Sequence, residues 1–235
     1  MWKCKALKEF LSGLLNLIAL EKLDFSKYRK LKNLPEGIAL KELDFSKYRK
    51  LKKLSKGFRS MIHLKILKMW EYDTLEEFLS GLPNFVALEE LNFSKYRKLK
   101  KLPEGFGSLI CLKKLFINLK KLSQGFGSLK CLKILQMWEC EALEEFLSGL
   151  PNLVTLKEIN FLRCRKLKKL QKGFGSLIHL KILRMWECEA LEEFPSGLPN
   201  FVALEELKFS KCRKLKKLPE GFRSLICLKK LFMEE

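Results

Sequence analysis

The stretch MWECEALEEF at 185–194 sets a cysteine between two glutamates and beside a tryptophan. A thiolate or a soft metal ion braced by carboxylates is the chemistry such a cluster could support. The same ten residues stand at 137–146, a near copy (MWEYDTLEEF) at 69–78 and a degraded one (MWKCKALKEF) at 1–10. A reactive centre is not built four times over, so the repetition assigns the cluster to scaffold. Where the other cysteines and the two histidines fall depends on the period.

Aligning on L-x-x-L-x-[FM] gives units that start at Leu20, Leu40, Leu64, Leu88, Leu112, Leu132, Leu156, Leu180, Leu204 and Leu228. The units are 24 residues long except those starting at Leu20 and Leu112, which have 20, and residues 1–19 and 228–235 are partial units. A full unit, LEELKFSKCRKLKKLPEGFRSLIC (204–227), has leucine-type residues at positions 1, 4, 6, 12, 15, 19 and 22, Cys or Tyr at 9 and Gly at 18. This is the leucine-rich-repeat signature. Positions 4 and 6 alternate with 3, 5 and 7, the period of a short strand with one buried face. One coil cannot bury its leucines alone, whereas a stack of coils makes a continuous core. The pattern predicts one domain over 1–235, an α/β solenoid of the leucine-rich-repeat type. Its expected form is a right-handed horseshoe of about ten coils with a parallel concave sheet. Short helical or irregular convex segments complete each coil, and there are no caps. The glycine at position 18 suits a tight bend on the convex side. GFGS there is not a phosphate loop, because it recurs per coil and no G-K-[ST] follows.

The period places every reactive side chain. Cys4, Cys140, Cys164, Cys188 and Cys212 take position 9, which points inward in this repeat, and Cys111, Cys131 and Cys227 take position 24. All eight read as small buried hydrophobes and free thiols. His63 and His179 lie five coils apart, about 24 Å at ~4.8 Å per strand, so no triad or shared metal includes both. Cysteines in a line do not make the tetrahedron zinc wants. No enzyme activity, metal or cofactor is expected.

Charge is the second organising feature. Forty-seven basic against 27 acidic residues give a net +20, and residues 1–63, with 16 basic and 6 acidic, carry +10 of it. Basic coils (SKxRKLKKL) alternate with acidic ones (WExExLEEF), so that Lys211 should lie over Glu187, Arg213 over Glu189, Lys216 over Glu192 and Lys217 over Glu193. The 20-residue units break the alternation. At the first break Lys27 meets Lys47, Arg29 meets Arg49, Lys30 meets Lys50 and Lys32 meets Lys52. With Lys53 these form a basic patch that an anionic partner would relieve. At the second break Lys100 and Lys101 meet Lys120 and Lys121.

Positions 3, 5 and 7 face outward on the concave sheet, presenting Ile66, Trp70, Phe116, Ile134, Trp138, Leu162, Ile182 and Trp186. Exposed tryptophans on a rigid sheet are typical of protein-binding surfaces. The expected function is therefore recognition of a protein partner on this face. The alternative is polyanion binding, to nucleic acid or acidic lipid, through the basic N-terminal third. Against that alternative, the tryptophans sit in the acidic coils, without the basic–aromatic interleaving of an RNA-binding sheet. Tyr28, Tyr48, Tyr72 and Tyr96 fill position 9 in four consecutive coils and imply a wider turn there. FLSGLLNLIAL (10–20) imitates a signal peptide but aligns with FLSGLPNFVAL (78–88), so it belongs to the repeat. No apolar run reaches the ~18–20 residues of a membrane span, and a cytoplasmic location is expected.

Stretches such as CRKLKKLPEGFRSLICLKKL (212–231) resemble the repeats of plant intracellular disease-resistance receptors, in which a nucleotide-binding switch domain precedes leucine-rich repeats. The resemblance implies a segment that senses a pathogen or host protein, here without a P-loop or signalling domain. The chain begins and ends inside strands. Uncapped solenoids expose core at both ends, which predicts end-to-end self-association.

Overall fold

A computed structural model describes residues 19–26, 38–47, 61–71, 84–95, 105–119, 124–146, 152–170, 172–194, 200–215 and 221–234. Strands open at position 3 of successive coils: β1 (Lys22–Asp24), β2 (Glu42–Asp44), β3 (Ile66–Lys68), β4 (Glu90–Phe93), β5 (Lys114–Ile117), β6 (Ile134–Trp138), β8 (Glu158–Leu162), β10 (Ile182–Trp186), β11 (Glu206–Ser210) and β12 (Lys230–Glu234). They form one ten-stranded parallel sheet in chain order, each residue paired with its counterpart one unit on. Two further strands, β7 (Glu145–Phe146) and β9 (Lys169–Leu170), pair in a minor sheet on another side of the coil, which a single bridge from Lys169 to Glu193 extends. The sequence pattern had no signal for this sheet, because position 14 carries charge rather than an alternating apolar row.

Burial follows the period of two. In β6 and β10 the pattern is half-buried, buried, half-buried, buried, half-buried. Leu135, Met137, Leu183 and Met185 are fully enclosed in a core that runs through the stack. Each such side chain contributes roughly 1.5–3 kcal/mol by leaving water, which is why a single unit has no stability of its own. β1 and β2 stop at position 5. There Asp24 and Asp44 accept the backbone N–H of Ser26 and Ser46, both at 2.8 Å, an Asx turn at the strand exit.

Among the described residues the return segments hold 3-10 turns: Phe106–Ser108, Gln124–Ser128, Lys172–Ser176 and Phe222–Ser224. Their phenylalanines Phe106, Phe126 and Phe174 seal the core from that side. Gly105 and Gly221 open two of them at φ 75° and 82°, the left-handed bend expected at position 18. At 124–128 and 172–176 the turn begins two residues earlier and runs through the glycine instead.

In the 24-residue coils position 8 adopts the left-handed conformation without glycine. Lys47, Glu71, Lys95, Glu139, Arg163, Glu187 and Lys211 have φ between 47° and 63°. Nothing in these residue types announces it. The backbone ladder imposes it: Lys47, Glu71, Glu139, Arg163 and Glu187 donate their N–H to position 7 of the next coil, as Lys47 does to Trp70 at 2.9 Å.

The position-9 cysteines point inward, as the repeat predicts. Cys140, Cys164 and Cys188 are fully buried, and Cys164 directs its thiol to the carbonyl oxygens of Met137 and Leu162 at 3.8 and 3.9 Å. Hydrogen bonding to Cys164, together with burial, pushes the Cys140 thiol well above the usual range. The position-24 cysteines correct the sequence reading. Cys111, Cys131 and Cys227 are exposed, because position 24 lies in the turn between the 3-10 segment and the strand, outside the core. All seven described cysteines are free thiols. Cys4 and the four tyrosines of position 9 lie outside the described residues.

Candidate functional site

Strands β6, β8 and β10 lay three rows across the outer face of the sheet. Ile134, Glu158 and Ile182 form the first, Gln136, Asn160 and Arg184 the second, Trp138, Leu162 and Trp186 the third. Phe116 on β5 stands beside Gln136. Six of the eight predicted outward residues thus gather on four adjacent strands. Ile66 and Trp70 belong to β3 and its exit, beyond β4.

The tryptophans are half-buried rather than fully exposed, and the αL residues at position 8 account for that. The Lys47 ammonium lies 4.7 Å from the Trp70 ring centre, the Arg163 guanidinium 4.9 Å from that of Trp186, and Lys211 5.5 Å from the same ring. Lys95 reaches both groups, 5.7 Å from Trp70 and 5.9 Å from Trp138. Arg163 and Lys211 also bind glutamates at position 8 of the tryptophan coils. Arg163 meets Glu187 at 3.0 Å and Glu139 at 3.4 Å, and Lys211 meets Glu187 at 3.5 Å. Burial works to raise the Glu187 carboxyl, but Arg163 and Lys211 outweigh it and hold it below its ordinary range. A rail of alternating cation and glutamate therefore edges the aromatic row and fixes ring orientation through cation–π attraction. The alternation of SK or LR with WE contains this signal, since position 8 of one coil adjoins position 7 of the next.

The predicted stacking of opposite charges is formed at Lys211–Glu187. It is also formed between coils at the matching positions of Arg165 and Glu189, 3.4 Å apart, and of Lys168 and Glu144, 3.1 Å apart, whereas Lys214 reaches Glu192 at 3.5 Å, two positions out of register. Lys216 and Lys217 lie outside the described residues, as do Lys100, Lys101, Lys120 and Lys121. Of the basic patch only Lys47 is described, and its ammonium is committed to Trp70. Lys27, Arg29, Lys30, Arg49, Lys50, Lys52 and Lys53, with Lys32, lie outside the described residues.

At the centre of the outer face is an imbalance. Asn160 is only 6% exposed; its Nδ2 donates to Glu158 Oε1 at 2.8 Å, and its Oδ1 has no hydrogen-bond partner. A buried acceptor left unpaired costs about 1–3 kcal/mol. Ser46 Oγ, near the other end of the sheet, is the second such atom among the described residues. Arg184 braces the surround, bridging Glu158 at 3.3 Å and Glu206 at 2.5 Å. A shallow depression of about 460 Å³ opens beside it, lined by Leu162, Trp186, Lys208 and Phe232 among others.

A second surface escaped the sequence reading. Ile62, Val86, Ile110, Val154, Ile178, Val202 and Ile226, all at position 23, are exposed apolar side chains in the turns before β3, β4, β5, β8, β10, β11 and β12. Their signal was an Ile or Val immediately after the leucine-type residue at position 22. Among the described residues no three His, Cys, Asp or Glu converge to hold a metal ion. None of the described helices is long and apolar enough to cross a membrane.

The fold is a leucine-rich-repeat solenoid. It is similar to a leucine-rich-repeat protein of Leptospira interrogans, with TM-score 0.50 and 23% identity over 95% of this chain and 69% of that one. It is also similar to the leucine-rich-repeat domain of the type III effector XopL, with TM-score 0.60 and 19% identity over 94% of this chain and 71% of that one. No protein-family model matches the sequence, and no curated protein matches it.

Proposed function

We propose that the chain is a non-enzymatic recognition scaffold that binds a protein partner on the outer face of its sheet, centred on Asn160. The observation that carries this reading is the unpaired Oδ1 of a buried asparagine amid Ile134, Trp138, Leu162, Ile182 and Trp186. An acceptor in that state is satisfied when a partner parts the overlying side chains and brings an N–H or hydroxyl donor, and the apolar residues around it then exclude water from the bond. The partner segment thus combines an apolar contact with one buried donor. Taken with the resemblance to plant intracellular receptor repeats, the partner is a pathogen or host protein met in the cytoplasm.

The test is selection of binders from a displayed protein library against the full chain. The selected binders are then measured against two variants, Trp138→Ala with Trp186→Ala, and Ile178→Lys with Val202→Lys. Loss of binding in the first alone supports the sheet face. Loss in the second alone moves the interface to the position-23 stripe and overturns the reading. The rival polyanion reading predicts binding of generic nucleic acid at about 150 mM salt that falls steeply as salt rises.

A further inference from the structure

Cys111 and Cys131 close the short coil that starts at Leu112. Both thiols are exposed and free. Their backbones are superimposable in pattern. Ile110 and Lys130 each donate to the serine two residues before at 2.8 Å, and Leu112 and Leu132 each donate three residues back at 3.0 Å. The register is locked immediately beyond, where Lys133 and Ile134 both donate to the carbonyl of Lys113, at 2.8 and 3.0 Å. The two cysteines are therefore lateral neighbours one strand step apart, about 4.8 Å, inside the ~4.4–6.8 Å Cα range of a disulfide.

Two further contacts place the side chains. Thr155, at position 24 of the following coil, donates its hydroxyl to Lys130 O at 2.7 Å and Leu132 O at 2.9 Å, the carbonyls on either side of Cys131. A position-24 side chain thus reaches the same position of the coil before it. The Lys113 ammonium is raised above its ordinary value first by its hydrogen bond to Glu89 and additionally by the sulfurs of Cys111 and Cys131, so one cation lies within electrostatic reach of both. Lys130 and Lys133 are exposed alongside.

We propose that Cys111 and Cys131 form a dithiol site that is oxidised by small anionic disulfides and, once bridged, ties the 20-residue coil into a closed ring. One thiolate attacks the S–S bond of the small disulfide, forming a mixed disulfide and releasing one small thiol. The second thiolate attacks the protein sulfur of that mixed disulfide, forming the Cys111–Cys131 bond and releasing the second small thiol. Two electrons pass to the small disulfide, and the two cysteine protons reach the released thiols through solvent. The lysines favour an anionic reagent through long-range attraction. The buried column Cys140–Cys164–Cys188 has the same spacing but no access for the reagent.

Cys227 supplies an internal control, since its counterpart in the preceding coil is Ala203. The reduced full chain is exposed to oxidised glutathione, alkylated and mapped by peptide mass, with a non-reducing gel alongside. The expected result is a monomer in which the 111 and 131 peptides are joined, two hydrogens lighter and free of glutathione, while Cys227 retains a glutathione adduct. In Cys131→Ala, Cys111 should stop at the adduct. Stable adducts on both Cys111 and Cys131, thiols that remain unreacted while Cys227 is modified, or a bridge between chains would each overturn the proposal. Adding salt should slow the reaction with glutathione disulfide and not with a neutral disulfide; equal salt dependence would remove the lysines from the site.

Discussion

Arg163 lies over Trp186, its guanidinium carbon 4.9 Å from the ring centre, while its Nε binds Glu187 of that same tryptophan's coil at 3.0 Å. One side chain therefore fixes the aromatic ring and the coil junction together. Arg163→Ala removes an exposed cation–π contact and two partly exposed ion pairs. It should lower stability by about 1–2 kcal/mol, read as a shift in urea midpoint. Arg163→Lys should recover about half of that, because the planar stack is lost while the charge stays.

Strand β10 offers a test of the period within adjacent residues. Leu183 is fully buried and Ile182 half-buried. Leu183→Ala should cost about 2–5 kcal/mol. Ile182→Ala should cost under about 1 kcal/mol yet weaken a selected binder. Equal losses of stability would mean that the outer face is part of the core.

Position 8 should reward a change of residue type. Glu71 sits at φ 60°, where a Cβ is strained. Glu71→Asn should raise stability by about 0.5–1 kcal/mol, whereas Glu71→Val should lower it, because a branched Cβ fits that region worst. Thermal melts of the two variants should move in opposite directions.

Acid should loosen the C-terminal coils. Hydrogen bonds from Lys181 and Lys229 hold the Glu205 carboxyl at about 2 against an ordinary 4.5. A folded value below the unfolded one means that the charged pairings stabilise fully above about pH 4.5. That stabilisation fades as pH falls through about 2. Glu205→Gln should flatten this part of the stability profile and leave it unchanged at low pH. A profile identical to that of the parent chain would show that the pairing contributes nothing.

Asn160→Leu separates binding from folding. Removing the unpaired amide from its buried position should leave stability unchanged or higher, by about 1 kcal/mol. A binder that donates to Oδ1 should weaken about tenfold or more. Unchanged affinity would place the partner elsewhere.

Much of this architecture was legible because the repeat carries it redundantly. Leu183, Met185 and Cys188 are buried as their positions required, and strands begin where alternation begins. The aromatic row was legible too, since Trp138, Leu162 and Trp186 share position 7. What escaped were features set by the backbone or by neighbouring coils. The left-handed φ of Lys211 comes from ladder geometry acting on an ordinary residue. The cover over Trp186 comes from coils on both sides, and single-unit patterning is blind to that. The exposure of Cys131 was misread because cysteine type alone suggests burial, whereas its place in a solvent-facing turn decides otherwise. The unpaired oxygen of Asn160 depends on side-chain geometry that no spacing encodes.

The direct register between β6, β8 and β10 turns the sheet into a ruler. Trp138 and Trp186 are two strand steps apart with Leu162 between them, a pitch of about 9.6 Å. A polyproline-type chain advances about 9.3 Å in three residues and returns to the same azimuth as it does so. Laid across the strands, such a chain would meet Trp138 and Trp186 with two side chains three residues apart, keeping step with the protein by arithmetic alone.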